Sequence, residues 1–243
     1  MSATASVLII GNEVLSGRTR DANLPWLAVE LGKLGLRLVE TRIVRDKTEA
    51  IVEAVNDLRV RNDYVITTGG IGPTHDDITA DAIAKAFGVE LIRDSEAFRT
   101  LADHYGSENM NAARLKMAYL PEGAVPVANP VSGAAGFRIG NVFVLAGVPI
   151  IMQAMFKVAS PQLTGGAPFA SRTVSVDLPE SLFAAELEQL QERFAEIEIG
   201  SYPVYGDTPG VALVMTGVDA ARLDSCTVEL MAAIRAIGGT LVD

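Results

Sequence analysis

A single cysteine, Cys226, and two histidines, His75 and His104, are spread through 243 residues. One cysteine excludes an internal disulfide and fits a reducing compartment, so the chain is expected in the cytoplasm. Cys226 lies in an apolar helical pattern and reads as core filling. No zinc constellation can be assembled from so few soft ligands. Any metal must be held by oxygen, which favours a hard divalent ion such as magnesium. Basic charge is also short: 20 Lys and Arg against 30 Asp and Glu give a net charge of −10. The cations are scattered, with Arg59 and Arg61 the densest group, so neither nucleic acid nor an anionic membrane is an expected partner. Long apolar runs are missing as well. The stretch 142–156 is broken by Gly147, Pro149 and Gln153, too punctuated to span a bilayer. The N-terminus enters an apolar strand without a preceding cationic segment and does not read as a signal peptide. The expectation is a soluble protein.

Hydrophobic residues make up 49% and charged residues 21% of the chain, a globular composition with material for a substantial core. The run Ser6–Gly11 has the pattern of a strand buried on both faces. Asp21–Leu34 places Leu24, Leu27, Ala28, Leu31 and Leu34 at helical spacing and is closed by Gly35. A strand over 36–44 follows, and Asp46 with Glu49 resembles a capping pair opening a helix. A third strand covers 63–68, before a glycine-rich loop and a helix through Phe87. Further helices are expected near 95–105 and 112–118, a strand over 141–146, and a helix 149–159 with Pro149 in its first turn. Alternation of this kind predicts an α/β fold of three layers around a mostly parallel sheet, over residues 1–160. Residues 160–171 have linker composition. Beyond them, 171–243 reads as strand, helix, two strands, helix and strand. That βαββαβ order predicts a smaller α+β domain of the split-βαβ kind.

Ligands of open parallel sheets bind outside the carboxyl ends of the strands. Three such ends here are polar or glycine-rich. The first carries Gly11, Asn12 and Glu13, leading to Gly17 and Asp21. The second carries Asp46. The third carries Gly69, Gly70, Gly72, Pro73, Thr74, His75, Asp76, Asp77 and Thr79. Glycines admit the backbone close to a phosphate, and a helix N-terminus behind them offers unpaired N–H groups. The spacing matches neither GxGxxG nor GxxxxGK[ST], so the standard dinucleotide and P-loop motifs are excluded. Asp46 and Asp77 are candidate catalytic residues that could share a divalent metal bridging phosphate oxygens and activating water. Asp76 is a weaker candidate, and Glu13 could join them or orient a ligand. Each aspartate also precedes a helix, where an acidic cap would serve structure alone. A second loop, 129–137, holds Asn129, Pro130 and Ser132. Ser132 is outside any GxSxG elbow, so it reads as a hydroxyl donor to a ligand or as part of an ordinary surface loop. Gly147 and Pro149 open onto the same sheet edge.

The segments GNEVLSGRTRDAN (11–23), TTGGIGPTHDDIT (67–79), NPVSGAAGF (129–137) and GVPIIMQAMF (147–156) resemble, in order and spacing, the molybdopterin-binding MoaB/Mog-like family. The similarity is greatest to the N-terminal portion of the CinA family of competence/damage-inducible proteins. The resemblance covers about the first 160 residues and adds Asn23 and Thr68 to the substrate-binding candidates. It implies a KH-like second domain and a homo-oligomer, dimer or trimer. Two activities are implied. One is metal-dependent hydrolysis of pyrophosphate bonds in ADP-ribose or FAD-like nucleotides, with magnesium, manganese or cobalt. The other is magnesium- and ATP-dependent adenylation of molybdopterin, in which the aspartates matching Asp46 and Asp77 are required. A non-catalytic ligand-binding protein is the third expectation. Asn12 stands where many relatives have an aspartate, which removes one carboxylate from the site.

Overall fold

Residues Val7 to Ile10 offer no polar face, and the chain buries them on both sides as strand β1 (Thr4–Ile10) of a central sheet. In the computed structural model, which describes residues 3–204 and 210–242, the chain divides into units 1–166 and 167–243. The first unit continues with α1 (Asn12–Leu15), α2 (Asn23–Lys33), β2 (Arg37–Val44), α3 (Thr48–Arg61), β3 (Tyr64–Thr68) and α4 (Thr79–Phe87). Then follow β4 (Leu91–Arg93), α5 (Ser95–Tyr105), α6 (Ala112–Lys116), β5 (Tyr119–Pro121), β6 (Val125–Val127), β7 (Gly136–Ile139), β8 (Val142–Leu145) and α7 (Pro149–Ala159).

The main sheet has the order β2-β1-β3-β8-β7-β6. Its pairings are parallel from β2 through β8 and antiparallel beyond. Alternate residues of each strand serve opposite cores, as strand geometry requires. Leu8, Ile10, Val65, Val142 and Val144 pack with Ile51, Val55 and Leu58 of α3 and Ile83 of α4. Val7, Ile9, Ile66, Phe143 and Leu145 pack with Leu27 and Leu31 of α2 and with Met152, Met155 and Phe156 of α7. Each fully buried aliphatic or Phe side chain contributes about 1.5–3 kcal/mol, so this double-sided burial dominates stability. The three-layer, mostly parallel architecture is the one its sequence predicts.

Four short strands escape the sequence pattern. β4 and β5 form a separate antiparallel pair, and β6 with β7 completes the antiparallel edge of the main sheet. The expected loop 129–137 therefore ends two residues earlier, because Gly136 and Phe137 belong to β7. The expected linker also behaves differently. A 3-10 turn over Ser160–Gln162 follows α7, Leu163 is buried, and the Gly166 N–H donates to the Gly35 carbonyl. Leu163 anchors a stretch whose glycines and prolines suggested no structure. The first unit thus runs past residue 160.

The second unit comprises β9 (Ala170–Val176), α8 (Ala184–Arg193), β10 (Glu198–Val204), β11 (Gly210–Gly217), α9 (Ala220–Ala236) and β12 (Leu241–Val242). Its sheet order is β10-β11-β9-β12, antiparallel at every pairing, which is the split-βαβ arrangement. Val174, Val176, Leu213 and Met215 pack against Leu190 and Phe194 on one side of the sequence and Leu223, Leu230 and Ile234 of α9 on the other. Cys226 is fully buried among them, and burial pushes its thiol up to about 11, consistent with core filling. Among the described residues no helix is long and apolar enough to cross a membrane.

Candidate functional site

After β1 the chain adds β2 on one side and then β3 on the other, so the crevice at the carboxyl ends of β1 and β3 is a topological switch point. A cavity of about 530 Å³ opens there. Its floor is backbone. Gly69 has φ +106°, and a Cβ on it would lie 2.1 Å from the Ile10 carbonyl oxygen. A Cβ on Gly147 would in turn come 3.2 Å from the Gly69 Cα. Gly69 needs glycine because its conformation and the neighbouring strand end exclude a side chain, while at Gly147 the fit is tight. Thr79, fully buried at the start of α4, donates its hydroxyl to the Gly69 carbonyl at 2.9 Å, and its N–H donates to the Gly70 carbonyl at 3.0 Å. Thr79 therefore organises the loop from behind.

The loop presents unused donors. Among the described residues, no acceptor takes the N–H of Gly70, Ile71 or Gly72, whereas that of Gly69 is committed to the Leu145 carbonyl. Consecutive free N–H groups on a bent backbone form an anion-binding concavity. The end of the loop is held by Asp77, whose Oδ2 accepts from the Thr74 N–H at 2.8 Å and from the Thr74 hydroxyl at 2.5 Å. That hydroxyl lies equally close, 2.5 Å, to Oδ1 of Asp76. Its single proton serves one carboxylate at a time. The Thr74 hydrogen bond is the main cause holding the Asp76 carboxyl below its ordinary value. Lys116, at the end of α6, donates its ammonium to the Thr74 carbonyl at 2.6 Å and ties the loop to that helix. Gly72 leaves room for Asp77, since a Cβ there would lie 2.7 Å from Asp77 Oδ2.

The capping expectation for Asp46 gives way to a different contact. Helix α3 starts at Thr48 with no side-chain cap from Lys47, while Asp46 Oδ2 accepts the Asn12 N–H at 2.8 Å. Asp46 thus ties the end of β2 to the end of β1. Asp77 does not cap α4 either, because Ile78 holds that position and the Asp77 carboxylate folds back onto Thr74. Both aspartates line the cavity, together with Glu13, Gly69, Gly70, Gly72, Pro73, Thr74 and Asp76. Asn129, Ser132, Gly147 and Pro149 complete the expected members there. Asn129, only 4% exposed, spends its amide within its own loop. Oδ1 accepts from the N–H groups of Val131 and Ser132, and Nδ2 donates to Ser132 Oγ and the Ala134 carbonyl. Ser132 accepts that bond, and its own proton goes to no acceptor among the described residues.

Other expected residues sit nearby in structural roles. Asp21, Asn23 and Thr68 line a small side pocket of about 60 Å³ next to the cleft. Asp21 accepts the Leu24 N–H at the start of α2, and the Asn23 amide donates to the Gly147 carbonyl at 2.8 Å. Gly11 closes β1 onto the Val44 carbonyl, and Gly17 occupies the exposed turn after α1. Neither Gly17 nor Pro130 lines the cavity, and His75 has a side chain 98% exposed. Sequence reasoning missed Thr19, Tyr105 and Met117 on the cavity wall. Tyr105 and Met117 come from α5 and the end of α6, where no local signal marks them.

Residues 6–165 match the family model described as a probable molybdopterin binding domain, and residues 168–238 match that of the FAD synthase middle domain. A protein from Pyrobaculum calidifontis is 38% identical over 211 residues, 82% of this chain and 80% of its own length. One from Aeropyrum pernix is 34% identical over 246 residues, 96% of this chain and 91% of its own. The crystal structure of the protein CinA, of unknown function, from Thermoplasma acidophilum aligns with a TM-score of 0.63 at 34% identity, covering 66% of this chain and 98% of that one. With its glycine loop, switch-point cleft and matched residues, the chain belongs to the probable molybdopterin-binding (MoaB/Mog-like) domain family, and residues 168–238 are similar to the FAD synthase middle domain.

Proposed function

We propose that the cleft binds a dinucleotide of the FAD or ADP-ribose type and hydrolyses its pyrophosphate bond with the help of a divalent ion. The observation that carries this reading is the convergence of Asp46 and Asp77, from two different strand ends, on the cavity that the glycine loop faces. The match of residues 168–238 to the FAD synthase middle domain favours a flavin-type dinucleotide among nucleotide ligands.

The donor set suits magnesium, manganese or cobalt brought in with phosphate. Among the described residues no group of three or more His, Cys, Asp or Glu is arranged to hold a metal ion alone. Each of Asp46 and Asp77 engages Oδ2, and Oδ1 of each accepts no hydrogen bond among the described residues. Magnesium is commonly held by one or two carboxylates together with substrate phosphates. When held there by Asp46 and Asp77, the ion would offset phosphate charge and lower the pKa of a water. The free N–H groups of Gly70, Ile71 and Gly72 hold the non-bridging oxygens. Glu13, whose carboxylate has no hydrogen-bond partner among the described residues, receives the proton of the attacking water. A new P–O bond forms to that water as the bridging P–O bond breaks, and two phosphomonoesters leave.

The test is AMP release from FAD and ADP-ribose with magnesium, manganese or cobalt, with and without EDTA. Turnover is expected only with metal, and Asp77→Asn should reduce it to background. A folded protein that turns over neither compound sinks the hydrolase reading. A second reading, adenylation of molybdopterin by ATP with release of pyrophosphate, is favoured by the description of the family that residues 6–165 match. It requires a pterin substrate and predicts pyrophosphate as product.

A further inference from the structure

We infer that Tyr105 is the stacking platform for the planar ring of the ligand, which lies with its phosphates on the glycine loop and its ring towards the α5–α6 side of the cleft. The inference rests on the nucleotide reading and adds the orientation and the recognition of the base.

The cleft has two chemically different ends. Glu13 and Asp46 reach it from the β1 and β2 ends. Tyr105 and Met117 reach it from α5 and the end of α6. The glycine loop lies between them. It is bound to the acid side through the close approach of Gly69 to Ile10, and to the apolar side through Lys116 and Thr74. The loop 129–135 closes against the same end of α5, where a Cβ on Gly133 would lie 2.9 Å from the His104 Cβ. A pyrophosphate alone would leave much of a 530 Å³ cavity unfilled, and the remaining wall combines Tyr105, Met117 and other apolar groups with the polar Asn129 and Ser132.

Tyr105 is held as a platform would be. The Arg114 guanidinium sits 4.3 Å from its ring centroid. Arg114 Nη1 donates to the Asn109 carbonyl at 2.7 Å, and the Asn109 amide donates to the Tyr105 carbonyl at 2.8 Å. His104 meets the ring edge-on at 4.7 Å. Arg114 thus covers one ring face and His104 meets an edge, while the half-buried ring packs on the first core and also contributes to the cavity wall. A ring fixed in advance loses little freedom when a base stacks on it. Every nucleobase, flavin or pterin has a π-face, so this contact selects ring-bearing ligands as a class.

The test compares binding of FAD, ADP-ribose and inorganic pyrophosphate to the full chain by calorimetry, each with calcium in place of the magnesium that supports turnover. Tyr105→Ala should weaken FAD and ADP-ribose by on the order of tenfold and leave pyrophosphate unchanged, while Tyr105→Phe keeps full affinity. Should the alanine variant fail to fold, Tyr105→Leu retains apolar bulk without the π-face and is expected to show the same selective loss. Equal weakening of all three ligands, or undiminished binding of the two nucleotides by Tyr105→Ala, overturns the inference while the nucleotide reading stands. Wild-type protein that binds pyrophosphate but neither nucleotide overturns both.

Discussion

Replacing Asn129 separates a residue that builds the cleft wall from one that touches ligand. Its side chain accepts from the N–H groups of Val131 at 3.0 Å and Ser132 at 3.1 Å, and donates to Ser132 Oγ at 2.7 Å and the Ala134 carbonyl at 2.9 Å. In Asn129→Ala the groups on exposed Val131 and half-buried Ser132 regain water, so each lost bond costs only about 0.5–1.5 kcal/mol. The Ala134 carbonyl is buried and left without a partner, at about 1–3 kcal/mol. These terms share one side chain and are not additive, so roughly 3 kcal/mol is expected in all. For a unit of this size that corresponds to a fall of about 6–12 °C in Tm. Asn129→Asp keeps both acceptor bonds but sets a buried carboxylate oxygen against the Ala134 carbonyl, so it should be at least as destabilising as alanine. The assay is thermal unfolding followed by circular dichroism, alongside ligand titration. A Tm within about 2 °C of wild type, coupled to lost ligand affinity, would refute the reasoning and make Asn129 a direct ligand contact.

Two further outcomes follow from the same kind of bookkeeping. Gly69→Ala forces a side chain into φ +106° and against the Ile10 carbonyl at 2.1 Å, so a loss of more than about 3 kcal/mol is expected; near-native urea unfolding would contradict the close approach. Asp63 accepts the Thr4 N–H at 2.7 Å and the Thr4 hydroxyl at 2.9 Å, and the backbone bond first, then the hydroxyl, holds its carboxyl below the usual value. A depressed folded-state pKa gives stability that is present above the unfolded value and lost as pH falls through the folded one. Asp63→Asn should therefore flatten part of the decline in urea midpoint between about pH 5 and pH 3, and an unchanged acid limb would count against the contact.

The parallel half of the sheet and its helices are legible because strands buried on both faces must be continuous apolar runs, as in residues 7–10 and 142–145, and because Leu27 and Leu31 repeat at helical spacing. The antiparallel edge is not. β6 is three residues with Pro126 at its centre, and β7 begins with glycine, so neither carries an alternating signal. The strand-end rule located the cleft, and the glycine loop and both aspartates fall on it. What the chain cannot announce locally is what a carboxylate will meet. Asp46 and Glu49 have the spacing of a cap, yet Asp46 finds the Asn12 N–H across the sheet. Tyr105 shows the same limit, since an aromatic at a helix end becomes part of a cleft wall only once α5 is packed against the loop 129–135.

The close approach of Gly69 to the Ile10 carbonyl has an evolutionary consequence. A strand-end backbone pressed against a neighbouring carbonyl, as Gly69 is against Ile10, offers no side chain for mutation to vary, so that part of the cleft floor is closed to gradual change. New ligand preferences among descendants of this fold must arise at the rim, on the turn after α1, the end of α5 and the loop 129–135. A mutagenesis library confined to those three segments would sample specificity with little loss of fold, whereas substitutions at Gly69 would return mostly unfolded protein.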